Sequence, residues 1–147
     1  MWNSNGNFYS VSKHDSPTCA DPNLYWSIVG SLYYLSFTRS DIAFIVHRVS
    51  KFMHNPKDSH WQAVKHILCY LKNTVSYGLF LTHSSSLSFQ AFADNDWAED
   101  PDDRRSVGSY CVYLGSRLIS WSCKQRSTVA RSSTEVEYKA LANAAAE

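Results

Sequence analysis

The chain has 147 residues, 44% of them hydrophobic and 18% charged, with a formal net charge of +1. That length allows one domain or two small units and leaves room for a buried core. A near-neutral balance excludes a protein that coats nucleic acid through bulk positive charge, and no apolar run approaches the length of a membrane span.

Residues 1–23 are polar and rich in Asn and Ser, with Pro17 and Pro22 near the end, which predicts a loose lead-in. The first residues have neither the basic nor the apolar region of a signal peptide, so the expectation is a soluble, intracellular protein, cytoplasmic or nuclear. Cys19, Cys69, Cys111 and Cys123 are widely spaced without a CxxC pair, which reads as free thiols rather than a zinc site or a disulfide framework.

From Leu24 the pattern turns helical. Leu24, Ile28, Leu32 and Leu35 recur at three- and four-residue spacing, widened by Tyr25, Tyr33 and Tyr34. Thr38 or Ser40 is placed to cap a second helix with Ile42, Ile45, Val46, Val49 and Met53 on one face, broken at Asn55-Pro56. Asp58 or Ser59 starts a third, with Trp61, Val64, Ile67, Leu68 and Leu71 inward and Lys65 and Lys72 outward. Residues 24–75 thus read as a compact helical unit. Its lysines and His47, His54, His60 and His66 make the middle of the chain basic, although no HExxH is present.

After Asn73 the period changes to two. Leu79-Phe-Leu81 is a short apolar run, and Leu87 to Ala93 alternates as a strand. Tyr110–Leu114 and Leu118–Trp121 form a hairpin around Gly115-Ser116. Ser132-Ser-Thr-Glu135 is a capping box opening a last helix. The fold class is therefore α+β: three helices, a small antiparallel meander, one helix.

Two features carry chemistry. Six acids lie between Asp94 and Asp103. They also suit a solvated hairpin tip, but Asp94 directly follows the strand, which holds a carboxylate more rigidly than a loop does. An EF-hand is excluded, because Glu99 and Arg105 stand where that loop requires Gly and a bidentate Glu. In the last helix Glu135 serves the cap. Glu137 shares a face with Leu141 and Ala144, so it is expected on the core side, where a carboxylate is costly unless paired or metal-bound. Val136 and Tyr138 leave a second register open. Asp94 and Glu137 are thus the candidate catalytic and metal-binding pair, the hard oxygen donors that Mg²⁺ or Mn²⁺ prefers. Lys65, Lys72, Lys124, Arg126 and Arg131, with Trp61, Trp97 and Trp121, are candidates for phosphate and base contacts, though core packing is the commoner role for tryptophan.

Motifs along the chain carry a family resemblance. They are Tyr25-Trp-Ser-Ile-Val-Gly-Ser-Leu-Tyr-Tyr-Leu35, Thr38-Arg-Ser-Asp-Ile-Ala-Phe44, Phe52-Met-His-Asn-Pro56, His60-Trp61, Tyr70-Leu-Lys72, Asp94-Asn-Asp-Trp-Ala98, Asp102-Asp-Arg-Arg-Ser106, Ile119-Ser-Trp-Ser122 and Ser132-Ser-Thr-Glu-Val-Glu-Tyr138. From about Ser16 onward the chain resembles the Pol polyprotein of copia-type LTR retrotransposons, from the end of the reverse transcriptase region into the ribonuclease H domain. The resemblance implies a helical reverse-transcriptase tail over 24–75 and a truncated ribonuclease H-like meander plus helix over 76–147. It also implies that Asp94 and Glu137 match two carboxylates of a Mg²⁺ (or Mn²⁺) site that cuts RNA in RNA–DNA hybrids. The family's remaining ligands and polymerase aspartates are expected outside these residues, so the chain is expected to be inactive alone and to bind the metal weakly.

Trp26, Cys69, Ser40 and Glu99 stand where the family usually has Arg, Arg, Pro and Gly, all reachable by single C-to-T or G-to-A changes. The expected function is a degenerate Pol fragment. Alternatives are a non-catalytic nucleic-acid-binding module, or a subunit whose metal site another chain completes. The first strand, roughly Ser88 to Ala93, is expected to leave an open edge through which the chain self-associates.

Overall fold

The computed structural model describes residues 16–81, 88–96, 104–126, 129–130 and 132–146. The chain divides into two compact units, Met1–Gly78 and Leu79–Glu147.

The first unit is built on three helices, α1 (Pro22–Leu35), α2 (Ala43–Ser50) and α3 (Asp58–Asn73), with a 3-10 turn, Ser40–Ile42, leading into α2. Asp21 caps α1 by accepting from the Leu24 amide at 3.0 Å, and Pro22 occupies a first-turn position where its missing N–H costs nothing. The inward face of α1 is Tyr25, Val29 and Leu32, with Ile28 packed beside it; of the predicted stripe Leu32 is buried as expected, while Leu24, Leu35 and Tyr34 are exposed. Tyr25 wins the buried position because its ring fills the core while its hydroxyl donates to the Val49 carbonyl at 2.7 Å.

Ile42, Val46 and Val49 of the second helical segment are buried as expected, with Ile45 and Met53 packed alongside. On α3, Val64 and Ile67 are buried and Trp61 and Leu71 partly so, but Leu68 is exposed and His60 and Ala63 take inward positions. His60 is fully buried. Its Nδ1 accepts from the Lys57 amide at 3.0 Å and its ring stacks on Phe52 at 3.8 Å, so hydrogen bonding and packing offset the cost of burying an imidazole.

Residues 16–21 also depart from the loose lead-in. The Cys19 amide donates to the Pro56 carbonyl and the Asp58 amide to the Pro17 carbonyl, both at 3.0 Å, and Cys19 is buried. The segment thus forms a short antiparallel bridge against the start of α3.

The second unit is a three-stranded antiparallel sheet in the order β1 (Phe89–Asp96), β2 (Val107–Leu114), β3 (Arg117–Gln125), followed by α4 (Ser133–Ala145). Gly115, at φ 62°, supplies the left-handed first position of the β2–β3 turn. Between Val112 and Tyr113 the register with β3 shifts, since Val112 faces Ser120 and Tyr113 faces Leu118, leaving Ile119 as the extra residue. Leu79, Phe80 and Leu81, the short apolar run after Asn73, are exposed and lie in no strand. Leu87 and the acidic residues from Glu99 to Asp103 lie outside the described residues.

Helix and antiparallel sheet together make the molecule α+β. All four cysteines are free. Among the described residues, no helix is long and apolar enough to cross a membrane.

Candidate functional site

Strand β1 delivers Asp94 close to its end, opposite Ser109 in the β1–β2 register. The Ser109 hydroxyl donates to the Asp94 carbonyl at 3.3 Å, and the Asp94 carboxylate is exposed, with no hydrogen-bond or ion-pair partner among the described residues. The second candidate comes from α4. Ser132 Oγ accepts from the Glu135 amide at 3.2 Å, the expected cap. Glu135 then pairs with Lys139 one turn on.

The register of α4 differs from the expected one. Val136 and Ala140, 2% and 5% exposed, turn inward, while Glu137 and Leu141 face out. The physical reason is plain. Rolling the helix to bury Glu137 would strip a charge of water without a counter-charge, whereas Val136 and Ala140 offer a small apolar surface that seats closely. Glu137 is therefore exposed, and its carboxylate has no partner among the described residues.

A residue that sequence reasoning missed connects the two segments. Asn95 Nδ2, beside Asp94, donates to the Val136 carbonyl, beside Glu137, at 2.7 Å. Across the ladder Asn95 faces Gly108. A β-carbon at Gly108 would collide with Asn95 Oδ1 and lie 3.4 Å from the Arg126 guanidinium, so a larger residue there would displace the Asn95 amide. Asn95 Oδ1 is buried with no hydrogen-bond partner, so the amide's one bond to α4 is what holds it. Side chains alternate along β1, which puts Asp94 on the sheet face opposite Asn95. A path between the two carboxylates thus runs around the β1 edge rather than through the α4 contact.

Oxygen donors without partners on a strand and a helix suit a hard divalent cation in kind. In number they fall short of a full shell, since no three His, Cys, Asp or Glu side chains gather among the described residues.

The comparisons with known proteins decide the family. Over 137 residues, 93% of its length, the chain is 48% identical to the retrovirus-related Pol polyprotein from transposon RE2 of Arabidopsis thaliana. It is 49% identical over the same length to the corresponding polyprotein from transposon RE1. The chain belongs to the copia-type retrotransposon Pol family. This Pol segment spans 9% of the length of each of those two polyproteins. It is also 47% identical over 127 residues, 86% of its own length and 53% of the other's, to an uncharacterized mitochondrial protein of Arabidopsis thaliana. No family model and no solved structure matches it.

The other candidate residues of this Pol segment separate into structural and exposed sets. Trp61 is half-buried against the helical core, its ring 6.5 Å from that of Tyr25 and its face under Lys65 Nζ at 5.7 Å. That is a packing role. Lys65, Lys72 and Lys124 are exposed and Arg126 is half-buried over Gly108, while Trp97 and Arg131 lie outside the described residues.

Arg39, which the sequence reading passed over, is the centre of a hydrogen-bonded charge cluster. Arg39, 7% exposed, donates from Nη1 to the Thr74 carbonyl and from Nη2 to the Thr74 hydroxyl, each at 2.9 Å. It also grips Asp41 with two bonds of 2.9 and 2.7 Å, and Tyr70 Oη donates to the same carboxylate at 2.9 Å. The guanidinium holds Asp41 below the usual carboxylate range, and the Asp41 bond pushes the Tyr70 phenol up. The Thr-Arg-Ser-Asp motif is thereby explained structurally: it satisfies the C-terminal carbonyl of α3 and ties that end to the α1–α2 link.

Proposed function

We propose that this chain is a degenerate copia-type Pol segment that joins the helical tail of a reverse transcriptase region to the opening of a ribonuclease H-like domain. In this reading Asp94 and Glu137 are two of the carboxylates that act on RNA–DNA hybrids. The observation that carries it is the Asn95–Val136 hydrogen bond, which ties the strand end bearing Asp94 to the helical turn bearing Glu137, while neither carboxylate has a partner among the described residues. The Pol family supports the substrate class.

In the proposed site Asp94 and Glu137 would hold Mg²⁺ or Mn²⁺, and a bound ion would activate water and stabilise the leaving oxygen of the RNA strand. The work of this chain is then to present two negative charges to solvent from a strand and a helix, and one ion held by both would require rearrangement around the β1 edge. Two carboxylates leave most of an ion's shell to water, so affinity is expected at about millimolar or weaker. Hydrolysis is expected only where further acidic ligands complete the set.

The test incubates the purified chain with Mn²⁺ or Mg²⁺ and a labelled RNA–DNA hybrid, and separately titrates Mn²⁺. Weak binding that Asp94→Asn and Glu137→Gln each reduce, without cleavage, is the expected result. Cleavage abolished by Asp94→Asn would show a complete site and refute the degenerate reading. Metal binding indifferent to both substitutions would refute the carboxylate assignment.

A further inference from the structure

The segment ahead of α1 is fastened to the start of α3 by polar contacts that converge on Lys57. The Cys19 amide donates to the Pro56 carbonyl and the Asp58 amide to the Pro17 carbonyl, and these two bonds flank the facing pair Thr18 and Lys57. In a pair flanked rather than joined by ladder bonds, each residue's own amide points away from its partner. The Lys57 amide therefore needs an acceptor on its other side, and His60 Nδ1 supplies it at 3.0 Å. Ser16 adds a further tie, its Oγ accepting from the Ser59 amide at 3.1 Å and donating to Ser59 Oγ at 2.9 Å.

An imidazole nitrogen accepts a hydrogen bond only while it carries no proton, and the imidazolium has two donors and no acceptor. The closed arrangement thus requires a neutral His60 with its proton on Nε2. A proton on Nδ1 would set one N–H against the Lys57 N–H and leave a cation on a ring that is 0% exposed and stacked on Phe52. The charged and titratable groups on the segments that meet here are Cys19 and Asp21 ahead of α1, Tyr25 on α1, His47, Lys51 and His54 on α2 and the turn after it, and Lys57 and Asp58 at the start of α3. Lys57 Nζ is drawn toward the Thr18 hydroxyl at 3.3 Å. Of these side-chain types only histidine ordinarily titrates between about pH 5 and 7.

Little apolar surface holds the segment down. Of residues 16–20 only Cys19 is buried, and the nine-residue core of the helical unit includes none of them. The segment can therefore open while that core stays folded.

We propose that His60 and the bridged segment form a proton-operated latch: uptake of a proton at His60 Nδ1 releases the Lys57 amide, opens the bridge between residues 17–19 and 56–58, and uncovers Cys19. The closed latch binds no proton at His60, whereas an opened imidazole binds one below about pH 6.5, so the open population grows as pH falls, by about tenfold per pH unit below that value. The latch is independent of the reading of Asp94 and Glu137.

The test labels the full chain with a pyridyl disulfide, which stays reactive toward thiols in mild acid, and follows each cysteine by peptide mapping. Cys69, exposed on α3, is the internal reference for the reagent's own pH dependence. The ratio of Cys19 to Cys69 labelling rates is expected to rise on the order of tenfold or more between about pH 7 and pH 5. His60→Gln keeps an acceptor for the Lys57 amide but takes up no proton, so its ratio should stay flat. His47→Gln should leave the rise intact. Should His60→Gln fail to fold, residue-resolved hydrogen exchange on the native chain decides: protection of the Cys19, Lys57 and Asp58 amides, corrected for intrinsic rates, should fall together over that range while Val64 and Ile67 stay protected. A flat ratio in the native chain, a full rise in His60→Gln, a rise abolished by His47→Gln, or loss of Val64 and Ile67 protection at the same pH would each overturn the latch.

Discussion

Arg39 shows how one side chain can close an architecture. Its guanidinium reaches 35 residues along the chain to the Thr74 carbonyl and hydroxyl, and its other edge is filled by Asp41. Arg39→Ala leaves the helix-end carbonyl without its donor, and a loss of about 1–3 kcal/mol is expected, read as a lower urea midpoint for the helical unit. Arg39→Lys should recover less than half, since an ammonium cannot span both partners. Titration separates two other groups. Burial, with Lys51 nearby, holds the His47 imidazole below its ordinary value. The unfolded chain then binds the extra proton below about pH 6.5. Stability therefore falls as pH drops through that value toward the lower folded one. His47→Gln should flatten the slope of unfolding free energy between neutral and mildly acidic pH. Asp41, whose folded value is depressed, contributes stability that is lost only on further acidification, below the usual carboxylate range. Three of the four departures from the family pattern lie among the described residues. Cys69 is exposed, Ser40 opens a short turn, and the Trp26 ring, 42% exposed, donates from Nε1 to the Met53 carbonyl. Glu99 lies outside the described residues.

At the scale of elements, periodicity located helices better than it chose their faces. Across the 3-10 turn and α2 the β-branched residues Ile42, Val46 and Val49 form one narrow stripe, and the stripe is what is buried. On α1 aromatic residues surround the helix, and hydrophobicity alone does not say that Tyr25 goes in while Tyr34 stays out; the deciding factor is a carbonyl on another helix that a phenol can reach. His60 was equally illegible, because its value lies in capping α3 and stacking on Phe52, two contacts that no spacing rule contains. The same holds for Asn95. In a sequence it reads as a turn residue following Asp94, and only the neighbouring helix turns it into a clamp. For α3 the contrast is measurable. Leu68 and Ile67 both suit an inward face on the helical wheel, yet Ile67 is 3% exposed and Leu68 38%. Ile67→Ala is expected to cost about 2–5 kcal/mol. Leu68→Ala should stay within roughly 1 kcal/mol, closer to a surface change. Equal effects in denaturant unfolding would mean the α3 register is wrong.

Over the whole molecule, buried apolar side chains are unequally shared. A contiguous core of nine residues, from Tyr25 to Ile67, lies in the helical unit. The sheet unit has no comparable cluster among its described residues, and β1 is an edge strand there with Phe89 and Phe92 71% and 59% exposed. Opening free energy follows burial, so amides of α1–α3 should exchange more slowly than those of β1 when dilute protein is followed by mass spectrometry. Strong, concentration-independent protection of residues 89–96 in a monomer would contradict this, while protection that grows with concentration would identify β1 as the edge through which copies associate. The bridge between residues 16–19 and the start of α3 has a bearing on synthesis. Ser16 and Ser59, which share a 2.9 Å bond, are 43 residues apart. At roughly 5–20 residues per second, the partner leaves the peptidyl-transferase centre about two to nine seconds after the segment that needs it. Cys19, buried once the bridge forms, therefore stays unburied from its own emergence from the ribosome until residues 56–59 emerge after it, and the time in which it can be oxidised or captured is set by the rate of synthesis rather than by the finished fold.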